Sequence, residues 1–84
     1  MSRVMIRSSE QLGQVLQGAR KIAGLSQADA AARLAISQSR VSHLELNPET
    51  INVAQLLLLL AAYELDLLVE PRSISDAVID RFEW

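Results

Sequence analysis

The sequence predicts a small, mainly α domain of four to five helices, one C-terminal β-strand that pairs across a homodimer, and a short tail. Three observations carry this. Apolar residues recur with helical spacing through the first 64 positions, capping residues punctuate them, and the period switches to two between Leu65 and Val69. At 84 residues and 50% hydrophobic, the chain is globular but small. It has no cysteine, so no disulfide or thiolate–metal staple supplements its core. Chains of this size often gain their missing burial by oligomerising.

Ser8 and Gln11 have capping-box spacing, and Leu12, Val15, Leu16, Ala19, Ile22 and Ala23 follow along one helical stripe. Gly24 is the natural stop. Ser26 and Asp29 repeat the cap signature ahead of an alanine-rich second helix that runs through Leu34. Ser37 caps a third helix with Val41 and Leu44 as its inward contacts, and Asn47-Pro48 ends it, because a residue before proline avoids the helical region. A fourth helix starts near Asn52 and runs to Tyr63 or Glu64. Val53, Leu56, Leu57 and Leu60 form its expected buried face, with Leu58, Leu59 and Ala62 apolar on the other.

A helix apolar all round is buried all round, so a second copy of the chain is expected to cover Leu58 and Leu59. The alternation of Leu65, Leu67 and Val69 with Asp66 and Glu70, closed by Pro71, reads as a strand. A lone strand in a helical chain has no internal partner, and exposed edges invite pairing with another chain. Leu65, Leu67 and Val69 are therefore assigned to dimerisation. The expected organisation is residues 1–64 as the helical domain, 65–71 as a dimerisation strand, and 72–84 as a tail.

The second and third helices are short and joined by about two residues. Ala30, Ala31 and Ala32 allow a close crossing, which is the geometry by which one helix braces another into a DNA major groove. At 100° per residue, Val41 and Leu44 set the buried direction of the third helix. Ser39, Ser42 and His43 then point outward, with Ser37 and Gln38 at the tip and Arg40 on the flank. Glutamine can read adenine through paired hydrogen bonds, and arginine can read guanine or hold a phosphate. A solvated polar face is the plainer alternative.

The charge distribution is uneven. Residues 1–44 carry six basic against two acidic side chains, and residues 45–84 carry two basic against eight acidic, within a net charge of −2. Such asymmetry hints at nucleic-acid binding by one half, although the acidic total argues against indiscriminate coating of DNA.

Residues 20–48 resemble the lambda/434-repressor (Cro/C1, Xre) helix-turn-helix family. The shared pattern is Arg20, Leu25, Gln27, Ala31, Leu34, Ile36, Gln38, Val41, Ser42 and Glu45, with Ala35 standing where the family usually has glycine. The resemblance implies that Gln27 contacts a backbone phosphate and that Gln38, Ser39 and His43 read bases. It also implies that Arg20 and Glu45 form a buried ion pair and that Leu25, Ile36, Val41 and Leu44 are core. The Asn47-Pro48 loop, the helix–strand order and the terminal Glu83-Trp84 are similar to HipB-type antitoxins. That implies a dimeric repressor of its own operon which binds palindromic operator DNA and neutralises a HipA-like kinase toxin, with Phe82, Glu83 and Trp84 docking on the toxin. A stand-alone dimeric repressor without a toxin is the alternative, and an adaptor that has lost DNA binding is a third reading.

Enzymatic readings find little support. His43 is the only histidine, there is no cysteine, and Gly13, Gly18 and Gly24 follow no phosphate-loop spacing. Asp76 and Asp80 are four apart but read as a solvated acidic face. No catalytic residue, metal, cofactor or small-molecule ligand is expected. The apolar run Leu56 to Tyr63 is far shorter than the roughly 20 residues of a membrane span, and no leader follows Arg3 and Arg7. A cytoplasmic protein, associated with the nucleoid when on DNA, is the expectation.

Overall fold

The computed structural model describes residues 3–71. Phe82, Glu83 and Trp84, and the rest of the expected tail, lie outside the described residues.

Four helices are present: α1 (Ser9–Ile22), α2 (Gln27–Leu34), α3 (Gln38–Leu46) and α4 (Val53–Ala62), with a 3-10 turn at Pro48–Thr50 before α4. Each helix starts on a polar cap. Ser8 Oγ accepts from Gln11 N at 3.1 Å, and the Gln11 amide oxygen accepts from Arg7 N. Ser26 with Asp29, and Asn52 with Gln55, close complete capping boxes at α2 and α4. Ser37 Oγ accepts from Arg40 N at the start of α3.

Three helices end in the same way, by a residue in the left-handed region. After α1, Gly24 (φ +76°) lets Leu25 N reach Arg20 O. After α2, Ala35 (φ +57°) lets Ile36 N reach Ala31 O, and after α4, Glu64 (φ +60°) lets Leu65 N reach Leu60 O. Only the first uses glycine. Ala35 therefore holds the tight turn between α2 and α3 at a steric cost that glycine would not meet.

The core is one cluster: Leu16 and Leu25, Ala30 and Ala31, Val41 and Leu44, and Leu59, Leu60 and Tyr63. Ala30 and Ala31 are buried where α2 crosses α3, as the close crossing requires, but Ala32 faces solvent. Gly13 permits an equally close approach of α1 to the end of α3. A Cβ there would lie 2.8 Å from Glu45 O and 2.9 Å from Pro48 Cγ.

Several apolar positions differ from expectation. Leu59 is 3% exposed within the chain's own core and cannot lie on an outer face for a second copy. Conversely, Val53 is 70% and Leu57 50% exposed, although both were expected inside. The buried edge of α4 is Leu56, Leu59, Leu60 and Tyr63, an i, i+3, i+4, i+7 stripe. Leu57 and Leu58 remain on the opposite side, and Leu58 is indeed exposed. Ile22 at the end of α1 and Ile36 in the turn between α2 and α3 are also exposed rather than core.

Beyond Glu64 the chain leaves the helix. Leu65 packs against the core, whereas Leu67, Leu68 and Val69 are exposed. No ladder partner for residues 65–70 exists among the described residues of this single chain, so the expected strand is not formed within it. Arg3 pairs with Glu70 across the exposed surface.

One ion pair lies inside. Arg20 Nε donates to Glu45 Oε2 at 2.7 Å and an Arg20 terminal nitrogen donates to Glu45 Oε1 at 3.2 Å. The other terminal nitrogen donates to Leu25 O at 2.9 Å. Both side chains are more than nine-tenths buried. The hydrogen bond to Glu45 raises the Arg20 pKa further above its already high range, against the opposing effect of burial. Tyr63 packs nearby, and burial, reinforced by the Glu45 charge, pushes its phenol above the ordinary value of 10.0. Its hydroxyl finds no hydrogen-bond partner among the described residues.

Two outcomes follow from these features. Ala35→Gly should stabilise the domain by roughly 0.5–1 kcal/mol, the relief of left-handed strain less the added freedom of the unfolded chain. A thermal melt should show a rise of a few degrees, and an unchanged or lower Tm would show that Ala35 is not strained. Glu45→Ala should lose about 3–5 kcal/mol in urea unfolding, because it strands the Arg20 charge in the interior. Arg20→Met combined with Glu45→Leu should recover most of that loss, and a single-variant loss under about 1 kcal/mol would place the pair in water instead.

Candidate nucleic-acid interface

The candidate surface is built by the α2–turn–α3 unit. Val41 is fully buried and Leu44 nearly so, which fixes the rotation of α3 about its own axis. The outward side then follows from helical geometry. Ser37, Gln38, Ser39, Arg40 and His43 are exposed, and Ser42 is half-buried at the edge. Six of the seven expected DNA contacts thus share one helix and its cap, while Gln27 stands at the start of α2.

The side chains are not equally free. Ser37 Oγ is committed to capping Arg40 N and lies 3.1 Å from Ser39 Oγ, so these two hydroxyls form a small polar pair at the helix tip. Gln38 and Arg40 make no side-chain hydrogen bond among the described residues, which leaves their amide and guanidinium groups available. Gln27 is half-buried, and its Nε2 donates to Glu45 Oε1 at 3.2 Å. Its amide is turned toward the ion pair in this conformation, so a phosphate contact would require its donor to turn outward or its backbone amide to serve instead.

One contributor was not expected from the sequence. Asn47 Nδ2 donates to His43 O at 3.1 Å and lies 3.4 Å from His43 Nδ1. That contact suits the tautomer in which Nδ1 accepts and Nε2 carries the proton, presenting a donor on the outer face. The i, i+4 spacing of His43 and Asn47 was visible, but Asn47 drew attention only as a helix terminator.

The electrostatics suit a polyanion at one end. The start of α2 and the start of α3 each present unpaired backbone amides, a favourable setting for phosphate oxygens. At α2 the Asp29 carboxyl already occupies part of that field. Hydrogen bonds from the backbone and hydroxyl of Ser26 hold its pKa below the usual carboxylate range. Arg33, Lys21 and Arg40 are exposed on the same half of the chain. Among the described residues no helix is long and apolar enough to cross a membrane.

Comparison with known proteins agrees with this geometry. A helix-turn-helix family model matches residues 16–69, which spans all of α2, α3 and α4. No curated protein matches the chain by sequence. Among solved structures, the fold is similar to that of HipB in a HipB–O1–O2 complex, with a TM-score of 0.74 and 25% identity over 82% of this chain and 100% of that one. A HipB variant in complex with an O2 20mer gives a TM-score of 0.75 and 27% identity, over 83% of this chain and 97% of that one. A HipA–HipB–O2–O3 complex gives 0.74 and 25%, over 82% and 97%. The match of the family model to well over half of the sequence, on a fold whose α2–turn–α3 unit carries the exposed polar helix, shows that the chain belongs to the helix-turn-helix family.

Proposed function

We propose that this chain is a sequence-specific DNA-binding antitoxin, acting as a homodimer that represses its own operon and neutralises a kinase-fold toxin similar to HipA. The observation that carries the DNA half of this reading is the exposed polar face of α3, set by the burial of Val41 and Leu44. Gln38 and Arg40 are the leading base readers, joined by Ser39, Ser42 and His43. Ser37 and Gln27 serve the adjoining backbone phosphates. Two such helices about one DNA turn apart would read a palindrome jointly.

The toxin half rests on similarity to HipB, of which a complex with HipA and O2–O3 is known, and on the sequence of the tail. Phe82, Glu83 and Trp84 are the proposed docking residues, since terminal aromatic anchors often dominate interface energies. The basic half then serves DNA while the acidic tail, residues 72–84, serves the toxin. Leu58, Leu65, Leu67 and Val69, all wholly or partly uncovered in one chain, are the proposed dimer contacts. On this reading the protein works by binding rather than catalysis, uses no cofactor, and acts in the cytoplasm.

Paired titrations test both halves, using DNA from upstream of its own reading frame, random DNA, and any kinase-fold protein encoded beside it. Gln38→Ala should lose roughly 1–3 kcal/mol on the cognate DNA and little on random DNA, with both affinities falling steeply as salt rises. Equal losses on both DNAs would remove Gln38 from the set of base readers. Deleting Trp84 should weaken toxin binding by about 2 kcal/mol or more while leaving operator affinity within about twofold. Full-length protein that binds the operator but no neighbouring kinase would establish the stand-alone repressor instead.

A further inference from the structure

His43, the one histidine of the sequence, stands exposed on the outward side of α3, in line with Ser39 one turn before it. The Ser39 hydroxyl lies against Ser37 Oγ at the helix tip, 3.1 Å away. One turn after His43 comes Asn47, the C-terminal cap of α3, whose Nδ2 lies 3.4 Å from His43 Nδ1. No other hydrogen bond reaches the imidazole among the described residues. What the ring offers outward depends on which nitrogen carries the proton.

The backbone fixes the orientation of the Asn47 amide. Nδ2 donates to His43 O at 3.1 Å, a carbonyl that also accepts from Asn47 N at 2.8 Å. Turning the amide over would set Oδ1 against that oxygen, two acceptors with no proton between them. With Nδ2 in place, its second N–H faces His43 Nδ1. Nδ1 must then accept, because a proton there would meet another donor, and the ring proton is left on Nε2.

Asn47 is itself held. Pro48 restricts the backbone before it, and Thr50 donates to Asn47 O from its amide at 3.0 Å and from its hydroxyl at 2.7 Å. Pro48 is buried, packed against Gly13 of α1. The side chain therefore starts from a fixed backbone and loses little freedom in meeting the ring.

An imidazole in this state donates outward and cannot accept there. In a major groove it matches N7 and O6 of guanine, N7 of adenine and O4 of thymine, and it mismatches the amino groups of cytosine and adenine. A ring free to change tautomer would serve both kinds of partner.

We propose that Asn47 is a specificity-determining residue that acts through His43, holding the imidazole as an outward donor and restricting it to acceptors on base edges. This rests on the DNA-binding reading above and adds to it a positioning residue behind one of the readers.

A single histidine makes the tautomer directly readable. Nitrogen-15 spectra of the free, full-length protein are recorded at a pH where the ring is neutral. Wild type should carry its proton on Nε2, and Asn47→Ala should show a larger fraction on Nδ1. Equal fractions in the two proteins overturn the proposal without reference to DNA. Binding is then titrated with DNA from upstream of the reading frame, each base pair substituted in turn, for wild type, His43→Ala, Asn47→Ala and the double variant. The position at which His43→Ala relaxes the preference should also relax in Asn47→Ala, by roughly three- to tenfold, the worth of one hydrogen bond. The double variant should lose nothing beyond His43→Ala at that position, and the salt slope of Asn47→Ala should equal that of wild type. Additive losses, or a loss equal at every position, would make Asn47 a helix cap alone and overturn the proposal. A His43→Ala protein with unchanged preferences overturns it by removing His43 from the readers, whereas a wild type without preference for any sequence overturns the DNA-binding reading as well. Should Asn47→Ala not fold, Asn47→Ser retains a donor for His43 O but is too short to reach Nδ1, and the same outcomes apply to it.

Discussion

The fold depends on one buried contact, the Arg20–Glu45 ion pair. Two charges taken out of water are tolerable only when nearly every donor and acceptor is matched. Here the guanidinium spends its donors on both Glu45 oxygens and on Leu25 O, and the carboxylate takes a further bond from Gln27. Those partners come from the end of α1, the loop after it, the start of α2 and the last turn of α3. Tyr63, following α4, packs close enough for its phenol to feel both charges. A hydrophobic pair of similar volume would stabilise the interior at least as well, but it could slide. The ion pair ties the end of α1, the start of α2 and the last turn of α3 together in the arrangement that presents α3.

Two small residues make that arrangement sterically accessible. Without a side chain at Gly13, α1 approaches the Glu45 carbonyl and Pro48 closely enough for Arg20 to reach inward. Ala30, fully buried, does the same between α2 and α3. The tight turn completes the bracing, and it does so with alanine in a conformation that glycine adopts more readily. The exposed polar face of α3 is thus positioned mainly by residues that are not part of it. Val41 and Leu44 set its rotation, Gly13 lets α1 approach the end of α3, and Arg20 binds Glu45 in its last turn.

Much of this was legible in the sequence, and the divisions are physical. Helix starts were readable because Ser8, Ser26, Ser37 and Asn52 act locally, through bonds to residues three positions on. The outward face of α3 was readable because two apolar residues against a polar background fix a direction. The faces of α4 were not. With apolar residues on every side, the pattern contains no preferred direction, and only the tertiary contacts decide that Leu59 goes in while Val53 and Leu57 stay out. Gly13 was invisible for a related reason: its meaning lies in a neighbour more than thirty residues away. The ion pair came from family resemblance alone, since nothing in local spacing connects positions 20 and 45. Asn47 was read as a helix terminator because proline follows it, and its second role beside His43 appears only once the last turn of α3 is built.

The apolar surface left over has a cause in size. A domain of this length buries only about 60% of the surface its unfolded chain would expose, so one layer of helices cannot cover all sides of α4. Leu57 and Leu58 lie on the face of α4 opposite the core, and the apolar residues after Glu64 extend from the same end of the helix. The charges divide along the chain, basic through residue 44 and acidic beyond it. The uncovered apolar surface is not set apart from the basic residues: Leu58 shares a depression with Arg33 and Leu34 of α2 and with Ala61 and Ala62 of its own helix. The uncovered apolar residues follow from where a chain of this length runs out of interior.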